Sequence, residues 1–420
     1  MNEAKQKFRL TSLERAWILY DVGNSAFVLL VATLIPIFFN ALAEGGGLSS
    51  VEYLAYWGYA ASAVTVITAV LSPILGTLAD TRNFKKPIFT FCVAVGVIGC
   101  CAMGMASTWL PFLLIFIFAK VGFSGSLVFY DSMLSDVTVP DRMDEVSSKG
   151  YAWGYIGSCV PFVVCLALVL GSGAVGLSQM TALSIALVIT AVWWLVVTLP
   201  LLKKYRQINY VEVEQHAIRQ SFVRIGQTLK HLPQDKQVFW FLLAFFCYID
   251  GVYTIIDMAT AYGTALGLDT TGLLLALLVT QIVAFPSALI FGRLSQKYES
   301  KTLIPVCIAA YTGIAVFAFF LKSQWQFWVL AVVVGMFQGG VQALSRSHFA
   351  KIIPQEKSGE YFGLFDICGK GASFLGTMIV SVGSQLTGSA NVGVGSIAIL
   401  FVIGFVLFGI STRTEETKQA

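Results

Sequence analysis

Long apolar stretches separated by short polar turns organise this chain. Stretches of about 20 residues, the length a helix needs to cross a bilayer, fall near 16–40, 53–78, 87–107, 110–134, 151–170 and 180–202. Six more follow near 238–262, 272–292, 302–321, 326–349, 361–385 and 392–411. The pattern predicts an all-α membrane protein with 12 transmembrane helices. Its expected divisions are an N-terminal six-helix half over 1–202, a linker over 203–237 and a C-terminal six-helix half over 238–420. Within the linker, Ile218, Phe222, Ile225, Leu229 and Leu232 recur at helical spacing, with Arg219, Arg224 and Lys230 between them. That pattern predicts a basic amphipathic helix lying on the inner leaflet. The first stretch is too long for a signal-peptide core and has no small-residue cleavage site, so it is expected to remain as a span.

Composition sharpens this picture. Only 12% of the residues are charged and 57% are hydrophobic, against about 25% charged in soluble domains. A soluble enzyme, a nucleic-acid binder and a disordered scaffold are excluded together. All eight cysteines fall inside apolar stretches without metal-ligand spacing, so they read as small buried hydrophobes, with no metal site and no disulfide. Placing both termini in the cytoplasm puts 24 of the 27 Lys and Arg residues on or beside the cytoplasmic face, with only Lys322 in an outer loop. The positive-inside rule therefore orients the chain as a multi-pass protein of the plasma (inner) membrane with cytoplasmic termini.

The two halves echo one another. Gly76-Thr-Leu-Ala-Asp80-Thr-Arg82-Asn-Phe-Lys85-Lys86 in the first has a counterpart in Gly292-Arg293-Leu-Ser-Gln296-Lys297-Tyr-Glu299-Ser-Lys301. Val139-Pro140-Asp141 and Ile353-Pro354-Gln355 repeat at nearly the same separation. Parallel six-span pseudo-repeats are the architecture of transporters that rock around a midplane site. The first loop resembles the major facilitator superfamily signature, Gly-x-x-x-Asp-(Arg/Lys)-x-Gly-(Arg/Lys)-(Arg/Lys). It departs from it in Thr81, in Phe84 and in one inserted residue. Gly76 permits a close helix approach, and Asp80 can meet basic groups or a helix N-terminus across the interface between halves. Such a contact, with Arg82 beside it, would latch the cytoplasmic side and break during transport.

Further segments narrow the resemblance. Trp17-Ile-Leu-Tyr20-Asp21-Val-Gly-Asn24-Ser25-Ala-Phe27 is similar to the Tyr-Asp-x-x-Asn-Ser signature of the "unknown major facilitator" family, which includes the autophagy-linked vacuolar amino-acid effluxers. Tyr248-Ile-Asp250-Gly251-Val-Tyr-Thr254, Gln342 to Pro354, Glu360 to Asp366 and Gly369-Lys370-Gly-Ala-Ser373-Phe-Leu-Gly376 carry the likeness through the second half. In the fourth span this chain has Lys120 and Asp131 where that family commonly shows Asn, which changes the charge of the pathway.

Other motifs lose their meaning in context. Gly171-Ser-Gly173-Ala-Val-Gly176 fits a dinucleotide pattern but lies in an outer loop with no strand before it. Gly363 to Gly371 lacks the spacing and the hydroxyl of a P-loop. His216, His231 and His348 are scattered. Asp250 and Asp257 share one helix, unlike a two-helix protease dyad. No enzyme activity and no cofactor are expected.

The ionisable residues inside the spans point instead to transport. A charge near a helix centre costs about 2.5–3.5 kcal/mol, so those retained are expected to face a partner or a water-filled cavity. Asp21 and Asn24 share one side of span 1. Gln338, Gln342 and Arg346 line one side of span 10, and Asp250 and Asp257 lie two turns apart on span 7. By the resemblance, spans 1, 4, 7 and 10 line the central cavity, so these residues and Lys120 form the expected substrate and proton pathway. Lys120 is expected to anchor an anionic group, with Asp250 at similar depth opposite it for proton coupling or an ammonium. Asp366 and Lys370 are an i,i+4 pair, grouped with Asp131, Gly76, Asp80 and Arg82 as structural pairs or gate.

The resulting expectation is a monomeric, proton-coupled secondary transporter in contact with membrane lipids. Its cargo would be a small zwitterionic or anionic metabolite such as an amino acid. The rival readings are a lipid or amphiphilic-drug transporter and a non-transporting membrane sensor.

Overall fold

The computed structural model describes residues 9–212 and 217–419. Among them there is no strand, and the isolated bridge between Thr81 and Val211 is a single backbone contact. The first helix group comprises α1 (Ser12–Ala32), α2 (Leu34–Gly45), α3 (Ser50–Ala79), α4 (Lys85–Met103) and α5 (Trp109–Ser132). A single turn, α6 (Leu134–Val137), leads into α7 (Pro140–Leu170), and α8 (Gln179–Lys204) completes the group. Helix α9 (Ala217–His231) connects it to the second group. That group runs through α10 (Lys236–Ala265), α11 (Thr270–Leu294), α12 (Ser300–Phe319), α13 (Gln324–Ile352), α14 (Ser358–Thr387), α15 (Ala390–Gly395) and α16 (Ala398–Gln419).

Eleven helical segments among the described residues are long and apolar enough to cross a membrane. Helix α14 matches them in length at 30 residues. Phe91, Ile98, Phe118, Val66 and Ile399 are exposed on the outside of the bundle, a surface that suits hydrocarbon and not water. The protein is a multi-pass integral membrane protein.

Where boundaries differ from those read in the sequence, local chemistry explains the shift. The first apolar stretch is broken at Thr33, between α1 and α2. Pro36 has no N–H to donate and its ring crowds the carbonyl four residues back, at Ala32. The Thr33 hydroxyl also bonds back to the Leu29 carbonyl at 2.5 Å. The expected span at 151–170 is the far part of α7, which starts at Pro140, a residue suited to the first helical position. Its polar first part stays helical because its charges are paired. Arg142 binds Glu14 at 2.7 Å, Lys149 binds Glu145 at 2.5 Å and Asp144 binds Lys351 at 2.6 Å.

Within the first group α1 packs on α7 and α8, and α4 on α5 and α8; within the second, α10 packs on α14 and α16, and α11 on α13. The groups meet through α3 against α14 and through α7 against α11 and α13. The start of α1 and the end of α16 lie at one end of the bundle. Lys204 donates to Ser12 at 2.6 Å, and Ser411 near the end of α16 donates to the Gln237 carbonyl at 2.8 Å. The turn after α3 is there too, since the Val211 N–H bonds to the Asp80 carbonyl at 2.8 Å.

The expected linker helix is present as α9. The side chains of residues 217–222, including Ile218, Arg219 and Phe222, lie outside the described residues. Ile225 is buried, Leu229 is exposed, and Arg224 turns onto the bundle to pair with Glu360 at 3.5 Å. All eight cysteines are free thiols.

Candidate functional site

Three layers of polar side chains join the two groups. The first is at the end that carries the termini. There α3 and the start of α14 approach until a Cβ on Gly76 would collide with the Gly359 carbonyl. This closeness lets the Asp80 carboxylate accept the backbone N–H groups of Gly359 at 2.7 Å and Glu360 at 2.8 Å. Those N–H groups belong to the first turn of a helix, where they have no helical acceptor and carry partial positive charge. Lys85 lies 3.6 Å from both Asp80 and Asp136 and donates to Ser358 at 2.9 Å, fully buried. Burial pushes the Asp80 carboxyl up to about 6, against the pull of Lys85 and the two N–H groups. Arg82 is not part of this contact. It is exposed, bound to Glu212 at 3.0 Å and set over the Tyr210 ring.

The second layer surrounds Arg346 of α13, one of the largest fully buried side chains. Its guanidinium lies 3.0 Å from Asp131 of α5 and 3.5 Å from Asp21 of α1. It also donates to the Ser147 hydroxyl at 2.9 Å and the Ser147 carbonyl at 3.0 Å. Trp17, Tyr130 and Tyr151 present ring faces to it at 4.7, 5.4 and 4.3 Å. The Tyr130 hydroxyl donates to Asp21 at 2.8 Å, and Asn24 donates to the Tyr20 carbonyl at 3.0 Å. Beside this knot, Ser147 donates to the Ala343 carbonyl at 2.8 Å and Gln296 donates to Glu145. Tyr155 donates to Gln342 at 2.6 Å, and Ser72 donates to Asp366 at 2.7 Å. The Lys370 side chain lies outside the described residues.

The third layer is farther from the termini. Lys120 of α5 lies over the rings of Phe123 at 4.7 Å and Phe27 at 6.0 Å. Eleven residues separate it from Asp131, about 16 Å along a helix. Asp257 of α10 is exposed and close enough to Lys120 to feel its charge. Asp250, expected at similar depth opposite Lys120, has its hydrogen-bond partners within its own group. Asp250 is fully buried within its own group, accepting the Gly376 N–H at 2.9 and 3.0 Å and the Thr254 hydroxyl at 3.3 Å. Glycine at 376 admits this because a Cβ would strike Thr254. The two acids share a face of α10, two turns and about 10 Å apart along it, and depth separates their surroundings: Asp250 is enclosed against α14 while Asp257 is exposed. Gln338 is buried, and its carbonyl oxygen has no hydrogen-bond partner among the described residues. It lines a cavity of about 60 Å³ with Thr254, Met258, Gln281 and Val334.

Several site residues were not singled out from the sequence: Tyr130, Asp136, Asp144, Glu145, Ser147 and Tyr155. The acidic ones sit among the basic residues of the terminal end, and that mixture of signs was their only signal. The tyrosines carried none.

Comparison with known proteins agrees with this architecture. The family model described as "Vacuole effluxer Atg22 like" matches residues 12–141 and 135–420. An uncharacterised MFS-type transporter of Bacillus subtilis, YxiO, is 42% identical over 419 residues, covering 98% of each chain. Autophagy-related protein 22 of Saccharomyces cerevisiae is 28% identical over 283 residues, which is 58% of this chain and 53% of the yeast protein. Among solved structures, the human organic anion transporter MFSD10 superposes with a TM-score of 0.74 at 13% identity, covering 94% of this chain and 98% of its own. The E. coli fucose:proton symporter FucP gives 0.70 at 14% identity, with 95% and 97% covered.

Proposed function

Because the chain belongs to the Atg22-like family of major facilitator transporters, we propose that it is a proton-coupled secondary transporter whose cargo is a small zwitterion, an amino acid first. Two six-helix halves, 1–202 and 238–420, rock about a central site, α14 serves as the twelfth span, and both termini face the cytoplasm of a cell bounded by its plasma membrane. The protein works as a monomer and needs no cofactor.

The observation that supports this most is that Lys120 and Asp257 stand near each other. They are opposite charges on helices of opposite halves, set beyond the closed end, with Asp257 open to water. A zwitterion carries the complementary pair. Its carboxylate replaces Asp257 as the partner of Lys120 while its ammonium takes Asp257, so binding exchanges one set of ionic contacts for another without stranding a charge. The aromatic faces of Phe27 and Phe123 hold the lysine in place. The printed names of two structural neighbours, an organic anion transporter and a proton symporter, are in keeping with an anion-anchoring lysine and proton coupling.

The test is counterflow in reconstituted vesicles across an amino-acid panel. Exchange of one amino-acid class is expected in the wild type. Lys120→Ala and Asp257→Asn should each lower it at least tenfold, about 1.4 kcal/mol or more of lost binding. Near wild-type exchange by Lys120→Ala would refute the site.

A second reading rests on a different feature. A cleft of about 480 Å³ between α3, α4 and α5, lined by Ile67, Leu71, Phe91, Leu114 and Phe118, is almost wholly apolar. It favours an amphiphilic cargo entering from lipid, and movement of a labelled lipid without amino-acid exchange would select it.

A further inference from the structure

The Arg346 knot holds more negative charge than positive. One guanidinium, 2% exposed, is bracketed by two carboxylates, Asp131 at 3.0 Å and Asp21 at 3.5 Å. Burying an uncompensated charge is costly, whereas burying a matched pair is affordable. Arg346 is the cation that offsets both carboxylates while the knot is assembled.

The two carboxylates differ in their surroundings. Asp21 accepts the Tyr130 hydroxyl at 2.8 Å and the Asn24 amide at 3.4 Å in addition to Arg346, and its side chain is 8% exposed. Among the described residues, Asp131 has one hydrogen bond, from Arg346, and its side chain is 20% exposed. Among the described residues, the other ionisable groups near it are Tyr130, Tyr151 of α7, Tyr253 of α10 and Asp366 of α14. None of these adds a cation.

We propose that Asp131 is the site of the coupling proton and that Arg346 converts its protonation into movement of one half against the other. The proposal rests on the proton-coupled reading above and gives the proton a location. In the closed arrangement Arg346, carried by the second half, satisfies Asp131 and Asp21 on the first. When the halves part at the terminal end, the guanidinium leaves with α13 and the two carboxylates are left side by side. Like charges so placed favour uptake of one proton. On reclosure, Arg346 returns and expels that proton from Asp131 to water. The proton is therefore bound in the state open at the terminal end and released in the state closed there. By linkage, acid favours opening by up to about tenfold in population per pH unit for one proton. Asp80 acts in the opposite sense, since it holds a proton best while buried in the closed end.

The experiment follows the opening directly, without substrate. Labels attached through unnatural amino acids at the exposed positions 141 and 297, one on each half, report separation of the terminal end in nanodiscs from pH 8 to pH 5. The wild type should open as pH falls. Asp131→Asn should lose that rise, leaving only the opposing response of Asp80, which is common to all variants. Asp131→Glu, which keeps a titratable carboxyl, should recover it and shows that loss in the Asn variant is not misfolding. A wild type that does not open with acid, or an Asn variant that titrates like the wild type, overturns the proposal. Failure to exchange any amino acid would instead refute the substrate reading and leave this titration unaffected.

Discussion

At the scale of single residues, the contacts between groups depend on how closely backbones approach and on which acids are already satisfied. Gly76 and Gly359 let two helices touch so that Asp80 reaches the first turn of α14. In Gly76→Ala, the added methyl must push against a backbone carbonyl, and overpacking of this kind costs about 1–3 kcal/mol. That cost falls only on the closed state. The closed fraction, read from the same pair of labels, is expected to fall roughly tenfold, while thermal stability of the separate halves changes little. Asp250 shows the opposite use of an acid. Its carboxylate holds the Gly376 N–H within one half, so Asp250→Ala leaves a buried donor unpaired at a cost of about 1–3 kcal/mol. The expected result is a lower unfolding temperature, with Asp250→Asn milder because its amide oxygen can still accept. An unchanged melting curve in Asp250→Ala, together with lost proton dependence, would return Asp250 to the transport pathway.

At the scale of elements, the apolar stretches marked nearly every helix within a few residues, because hydrophobic length alone sets what crosses a bilayer. The departures lie where polar chemistry decides. Pro36 splits the first stretch at Thr33, and paired charges extend α7 back to Pro140. The proton and substrate pathway was only partly legible. Asp21 and Arg346, read separately as polar residues of spans 1 and 10, stand together, and Asp80 meets a helix N-terminus. The sequence pattern did not show that Asp250 would be enclosed against the Gly376 N–H of α14 while Asp257, on the same face two turns on, stays exposed. Nor did Glu145 or Ser147 stand out, because the partners that tie them to the second group, Gln296 and Arg346, lie far away in sequence. The element tie with the clearest signature is that of Arg142 to Glu14, whose side chain is 1% exposed. Arg142→Ala removes the cation from a buried carboxylate. Loosening of the start of α1 from α7 is expected, by up to about 3–5 kcal/mol before the remaining bonds from Thr11 and Thr138 are counted. Faster amide exchange over residues 12–20 would show it.

At the scale of the whole molecule, the hydrogen bonds and ion pairs between groups gather at the end carrying both termini, from Asp80 to Arg346, and the Lys120–Asp257 pair lies beyond them. That distribution fits a transporter closed on one face with its site reached from the other. The latch, the Arg346 knot and the substrate pair then follow one another along the same path, so a proton and a zwitterion meet a single moving interface. The central claim is that this interface couples the two. Its most direct test is accumulation of an amino acid in vesicles under an imposed pH gradient. The account expects the internal concentration to exceed the external one and to collapse when a protonophore dissipates the gradient. Mere equilibration, unaffected by the gradient, would contradict it.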